Sequence, residues 1–123
     1  MYKKVAFTVY PATDIQRARN FYEETLGLRV TKEYQDGRWI EFDMEGGGCL
    51  ALSDMMPQFK PNASEGGTIA LEVENVESLM STLKEKNVEI LMDTFESPVC
   101  KMASIRDSEG NGVILHQVHS HSA

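Results

Sequence analysis

Residues 5–30 read VAFTVYPATDIQRARNFYEETLGLRV, and they hold a strand, a capped amphipathic helix and the start of a second strand. Val5, Phe7 and Val9 alternate with smaller or polar residues, the period-two pattern of a strand with one buried face. Pro11 cannot donate to a sheet ladder and so marks the exit from that strand. Thr13 followed by Gln16 forms a capping-box signature, and Asp14 adds negative charge at the helix N-terminus. Ile15, Ala18, Tyr22 and Leu26 recur at helical spacing and form one apolar stripe. Gly27 stands just past the stripe, where a left-handed C-cap needs it. Arg17, Arg19, Glu23 and Glu24 fall largely off the stripe and form a solvated face.

The same unit recurs from Gly67 to Leu91. Thr68–Val73 reads as a strand, Asn75 as a helix cap, and Val76, Leu79, Met80 and Leu83 as the stripe. Asn87 tolerates the left-handed conformation that closes the helix. Asp14 and Asn75 lie 61 residues apart, as do Ile15 and Val76, Ala18 and Leu79, Tyr22 and Leu83. A stripe that matches itself at one offset signals a duplicated half. Two copies of one small unit imply a shared cavity where function resides.

Between the helices, Leu28–Tyr34 is strand-like and Asp36-Gly37 is a hairpin signal. Arg38–Glu45 alternates, with Ile40, Phe42 and Met44 on one side and Trp39, Glu41 and Asp43 on the other. Gly46, Gly47 and Gly48 form a turn into the strand Cys49–Ser53. That triplet lacks the lysine and helix start of a phosphate loop, so a hairpin turn is the better reading. Residues 54–67 carry two prolines and no periodicity. They read as a connector whose Met55, Met56 and Phe59 offer an apolar underside to a pocket, a partner chain or the sheet edge. Val88–Met92, Val99–Ile105 and Gly112–Val118 supply three more strands, with Asp107–Gly112 as a turn before the last. The chain is therefore read as α+β, one domain spanning 1–123. It comprises two β-α-β-β-β halves, about 4–54 and 67–118, in a curved, half-barrel mixed sheet with helices outside.

At 123 residues the chain can bury a core without disulfides or a structural metal. The formal net charge of −7, from 12 basic and 19 acidic residues, excludes a basic nucleic-acid footprint and disfavours anionic membranes. Such a balance is ordinary for a soluble protein, and it also fits a pocket for a cationic ligand. No run of apolar residues is long enough to span a bilayer, and MYKKVAFTVYPATD does not make a signal peptide. Cys49 and Cys100 fit no CxxC or zinc spacing, which points to a reducing, cytoplasmic setting.

The order of elements, with Asp14-Ile15 through Phe21-Tyr22, Leu26-Gly27-Leu28 and Ile105–Asn111, resembles the vicinal oxygen chelate superfamily. That superfamily includes glyoxalase I, extradiol dioxygenases, methylmalonyl-CoA epimerase, fosfomycin-modifying enzymes and bleomycin-resistance proteins. Ser108 stands where its members usually have proline. The resemblance covers about Lys4 to Val118 and implies paired halves enclosing a site, within one chain or across a homodimer. In metal-using members four strands each supply one ligand, and by motif those positions fall on Phe7, Ala51, Thr68 and Ile114. Phenyl, methyl and sec-butyl groups offer a cation no lone pairs, and a neutral threonine hydroxyl is a weak ligand. The expectation is that no metal or other cofactor is held, leaving a dry concave surface for an aromatic or alkyl ligand.

The candidate ligand pocket comprises Phe7, Trp39, Glu41, Cys49, Ala51, Thr68, Ile114 and His116. His116 shares a face with Ile114, and can orient a ligand, act as general base, or simply be satisfied by neighbouring backbone. Trp39 can stack on a planar ligand and Glu41 can attract a cation or accept a proton, or the pair faces outward. Cys49 has no visible base partner and reads as structural. His119 and His121 form with His116 a tail suited only to adventitious metal contact. The leading expectation is a metal-independent, small-molecule-binding homodimer of the bleomycin-resistance type, with no nucleic-acid or membrane partner. The alternative is a glyoxalase- or dioxygenase-like enzyme using His116 and Glu41 as acid and base, with or without a divalent metal recruited at a shifted position. A third is a protein–protein module with a vestigial pocket.

Overall fold

The computed structural model describes residues 5–55, 59–64, 67–98 and 100–119. The chain divides into two compact units, Met1–Pro61 and Asn62–Ala123. Met56 and His121, named above, lie outside the described residues.

The first unit runs β1 (Thr8–Pro11), α1 (Ile15–Asn20), a π-helical turn (Phe21–Thr25), β2 (Lys32–Tyr34), β3 (Trp39–Asp43) and β4 (Cys49–Ser53). Its sheet has the order β1-β4-β3-β2. The last strand inserts beside the first, and β1 pairs with β4 in parallel, Val9 opposite Ala51 and Tyr10 opposite Leu52. Even-numbered side chains then share the helix-covered face. Ile40, Phe42, Leu50 and Leu52 are at most 1% exposed there, beneath the fully buried Ala18 and Tyr22. The rings of Tyr22 and Phe42 lie 5.9 Å apart. This places Tyr10, rather than Val5 and Phe7, in the core. Val5 and Phe7 precede β1, and Phe7 belongs to the odd-numbered set that faces away from the helix.

The N-cap is Asp14, whose Oδ1 accepts from the Arg17 amide at 3.0 Å. The helix starts at Ile15, so Asp14 stands at the N-cap, one residue after the Thr13 expected there. Gln16 donates to Asn20 Oδ1. At the other end, Leu26 N–H reaches back five residues to Phe21 O at 2.9 Å. The wider turn rotates Leu26 off the apolar row, and it stays half-buried. Gly27 follows at φ +78°, the left-handed closure expected of it. Leu28–Thr31 is irregular, so the second strand is only the three residues of β2. The loop to β3 takes Gln35, Asp36 and Gly37 through three successive positive φ angles.

The second unit repeats the plan: β5 (Ile69–Glu72), α2 (Val76–Glu85), β6 (Ile90–Glu96), β7 (Cys100–Arg106) and β8 (Gly112–Val118), in the order β5-β8-β7-β6. Asn75 caps α2 by accepting from the Ser78 amide at 2.9 Å. Gln117 Oε1 accepts from the Val76 amide at 2.9 Å, which fastens the helix start to β8. Val76, Met80 and Leu83 pack over Ala103, Ile105, Val113 and Leu115, all at most 2% exposed. Asn87, at φ +61°, ends the helix as expected. The turn into β8 is built on buried Asp107, whose Oδ1 accepts from the Glu109 and Asn111 amides at 2.9 and 2.8 Å. Asn111 Oδ1 in turn accepts from the Asn62 amide at 3.0 Å. These bonds need no proline at Ser108. Edge strand β6 runs longer than Val88–Met92 predicted and pairs with β7 through two register shifts.

Both caps are testable. Asn75→Ala should cost about 1 kcal/mol in urea denaturation, whereas Asn75→Asp should retain most of that stability, since either side chain accepts from the third amide on.

Candidate functional site

Each helix covers one face of its sheet, and chemistry is available on the other. In the first unit that open face carries Trp39, Glu41 and Asp43 on β3 and Cys49 and Ala51 on β4. Antiparallel register sets Asp43 opposite Cys49 and Glu41 opposite Ala51. Trp39 Nε1 donates to Glu41 Oε2 at 2.8 Å, fixing the indole and the carboxylate against each other. The Phe7 ring meets Trp39 edge-on, centroids 5.2 Å apart and planes at 88°. Asp43 accepts the Thr31 hydroxyl at 2.5 Å, and Lys32 Nζ lies 3.8 Å away. The Thr31 hydroxyl, with help from Lys32, holds the Asp43 carboxyl below its ordinary range. Burial, then the negative charges of Asp43 and Glu41, push the Cys49 thiol up to about 11. Cys49 is therefore a protonated thiol at neutral pH and a poor nucleophile.

The second unit holds the other candidates. Ile114 and His116 share the open face of β8, with Ala70 and Glu72 of β5 beside them in parallel register. His116 Nδ1 lies 2.6 Å from Glu72 Oε1, and Glu72 Oε2 accepts from the Val118 amide at 2.8 Å. The hydrogen bond from His116, then that from Val118, holds the Glu72 carboxyl below its ordinary value. Thr68 lies just before β5, exposed, with its methyl beside Gly112. Thus Phe7, Trp39, Glu41, Cys49 and Ala51 gather in the first unit, and Thr68, Ile114 and His116 in the second.

Of the four positions at which the resemblance puts metal ligands, Ala51 is a fully buried methyl and Phe7 and Ile114 are hydrocarbon. That donor set does not fit a divalent ion. Among the described residues, Glu41, Asp43 and Cys49 do bring potential ligand atoms within 4.8 Å of one another. The bond between Glu72 and His116 was not read from the sequence. It depends on β5 and β8 being parallel neighbours, a long-range pairing whose only signal is the placement of Glu72 on the last strand-like residues of TIALEV.

A pair of β-α-β-β-β units, each with its last strand beside its first and an open sheet face opposite a single helix, defines a paired-module fold. The chain belongs to the Glyoxalase/Bleomycin resistance protein/Dioxygenase superfamily, whose family model matches residues 4–115. Among solved structures it is similar to TnmS3, an antibiotic binding protein from Streptomyces sp. CB03234. That match has 22% identity, 96% of this chain and 98% of the other covered, and a TM-score of 0.79. It is also similar to a glyoxalase/bleomycin resistance protein from the same strain, at 27% identity, 90% and 97% coverage and a TM-score of 0.76. Lactoylglutathione lyase from Agrobacterium tumefaciens follows, at 18% identity, 94% coverage of each chain and a TM-score of 0.74. Comparison with curated protein sequences gives no match.

Two measurements probe these environments. In a Cys100→Ser background, Cys49 should react with iodoacetamide at about pH 8 far more slowly than free cysteine, and Asp43→Asn should speed it about three- to tenfold. Because the folded Glu72 carboxyl titrates below its ordinary value of 4.5, its stabilising effect is present above that pH and lost as pH falls through the folded value. The stability difference between wild type and Glu72→Gln should therefore be largest near neutral pH and shrink in acid, as read by urea denaturation.

Proposed function

We propose that the chain is a metal-independent small-molecule-binding protein that sequesters an aromatic or cationic ligand, as an antibiotic-resistance protein does. The observation that carries this reading is the open face of the first unit. There Phe7 and Trp39 present crossed rings, and Glu41, locked by the indole N–H, places a carboxylate at their border. An aromatic wall with one fixed acceptor recognises a planar ligand, and the nearby Asp43 favours one with positive charge. Sequestration needs no nucleophile, in keeping with a thiol raised to about 11. The antibiotic-binding description of TnmS3 supports the same reading. We also place the protein in the cytoplasm, as a homodimer, on its two free thiols and the habits of its superfamily.

Trp39 is the one tryptophan of the sequence, so intrinsic fluorescence reports on this face directly. Titration with planar aromatic compounds, cationic and neutral, should give saturable quenching for at least one class, unchanged by EDTA. Calorimetry should then show binding about tenfold weaker in Trp39→Ala, the loss expected for one aromatic contact. Absence of any saturable response would overturn the proposal. Light scattering should report twice the 13.8 kDa chain mass.

The second reading, a glyoxalase- or dioxygenase-like enzyme, is favoured by one observation, the Glu41, Asp43 and Cys49 group within 4.8 Å. In it those residues would recruit a divalent metal to the open face of the first unit, where it would supply a Lewis acid. Stoichiometric metal in protein purified without chelator, lost in Glu41→Ala, would replace the first reading with this one.

A further inference from the structure

The open face of the first unit does not end at β3. Strand β2 lies beyond it in the sheet order, and antiparallel register sets Tyr34 opposite Trp39 and Lys32 opposite Glu41. Directly opposite residues share a face, with about 5 Å between their Cβ atoms. On β2 it is therefore the even-numbered residues that take the open face, and Glu33, between them, turns to the helix side and pairs with Arg19 of α1. Tyr34 stands beside the indole on the flank away from Phe7, which leads into β1 at the far edge of the same sheet. Among the described residues no other ring and no hydrogen bond engages the Tyr34 side chain.

Phe7, Trp39 and Tyr34 thus form one row of rings across the sheet. The Phe7 and Trp39 centroids are 5.2 Å apart. One further strand spacing of about 4.8 Å carries the row to Tyr34, for a length on the order of 10 Å, about that of three fused six-membered rings. Phe7 is 44% and Tyr34 51% exposed, so both ends of the row are uncovered hydrocarbon. Polar chemistry lies along one side of it. Glu41 is next on that face of β3, and among the described residues the Trp39 indole is the one donor to its carboxylate. Lys32, opposite Glu41, turns its Nζ to Asp43 at 3.8 Å. A guest lying on the rings meets an acceptor at one edge and must bring a donor to it.

We propose that Tyr34 is a further wall of the ligand face and sets the length of the ligand. The face takes a planar system of about three fused rings, its long axis across the strands from Phe7 to Tyr34, with a hydroxyl or protonated amine donating to Glu41. This inference rests on the reading of that face as the ligand-binding one. Trp39 accommodates any planar ring, whereas only a ligand longer than the Phe7–Trp39 pair reaches Tyr34. Tyr34 is thus a specificity residue, contributing to long ligands and not to short ones. Its ring, rather than its hydroxyl, makes the contact.

Benzylammonium, 2-naphthylmethylammonium and 2-anthracenylmethylammonium carry the same donor on a progressively longer ring system. Each is titrated by calorimetry into the full chain as wild type, Tyr34→Ala, Tyr34→Phe and Trp39→Ala. Tyr34→Ala should weaken the anthracenyl compound about fivefold, as expected for one aromatic contact, and leave benzylammonium within about twofold. Tyr34→Phe should bind the whole series as wild type does. Tyr34 is exposed on a strand of 3 residues at the sheet edge, so neither change disturbs the packed core. An equal loss across the series, or no loss for the anthracenyl compound, would overturn this inference alone, provided Trp39→Ala still weakens binding. No binding by any of the compounds would overturn the ligand reading with it. A changed mass by light scattering in Tyr34→Ala would assign the ring to a contact between copies of the chain, and would also overturn the inference.

Discussion

The parallel pairing of first and last strands, β1 with β4 and β5 with β8, is the constraint from which the rest follows. A parallel neighbour can be reached only by a crossover, so the helix and two further strands must be threaded between them. The helix then covers one face of each four-stranded sheet and cannot reach the other. Side chains alternate, so the register decides which face each residue takes: Leu50 and Leu52 pack beneath the helix, while Cys49 and Ala51 turn to the other face, where Cys49 is half-buried and Ala51 still fully buried. In the second unit the same rule buries Val113 and Leu115 and leaves Ile114 and His116 half-covered. Chemistry collects on the open faces because packing has consumed the opposite ones.

Much of this was written locally and could be read locally. Strand β4, the stripe of α2, the Asn75 cap and the left-handed closures at Gly27 and Asn87 depend on neighbours within a few residues, and each stands where the pattern put it. The repeat offset of 61 pairs Asp14 with Asn75, and both prove to be N-caps. What the pattern misplaced depended on distant partners. Val5 and Phe7 look like a buried row until the pairing of Thr8 with Leu50 shows where the ladder starts. The π-helical turn leaves no trace in a stripe spaced by three and four residues, since widening the last turn moves Leu26 only partly off the row.

The site divides along the same line. Trp39 and Glu41 are two residues apart on one strand, so their shared face was legible, although their hydrogen bond was not. Asp43 opposite Cys49 requires the β3–β4 register, and only then does the thiol acquire two acidic neighbours. His116 could be placed on a face but not given a partner, because Glu72 lies 44 residues earlier and joins it through a parallel ladder. In each case the residue type was visible early and its electrostatic setting was not.

Two of the outer strands, β2 and β6, differ in a way that bears on how the chain survives crowding. Strand β2 is three exposed residues, Lys32, Glu33 and Tyr34, too short and too charged to template a stranger. Strand β6 is seven residues long and leaves Leu91, Met92 and Phe95 about 40% exposed. Such a border invites fibril-like stacking, and its two register slips break the straight row of backbone donors that a growing cross-β ribbon would need. The irregularity in β6 thus works against polymerisation, alongside the exposed charges of Asp93 and Glu96 on the same strand.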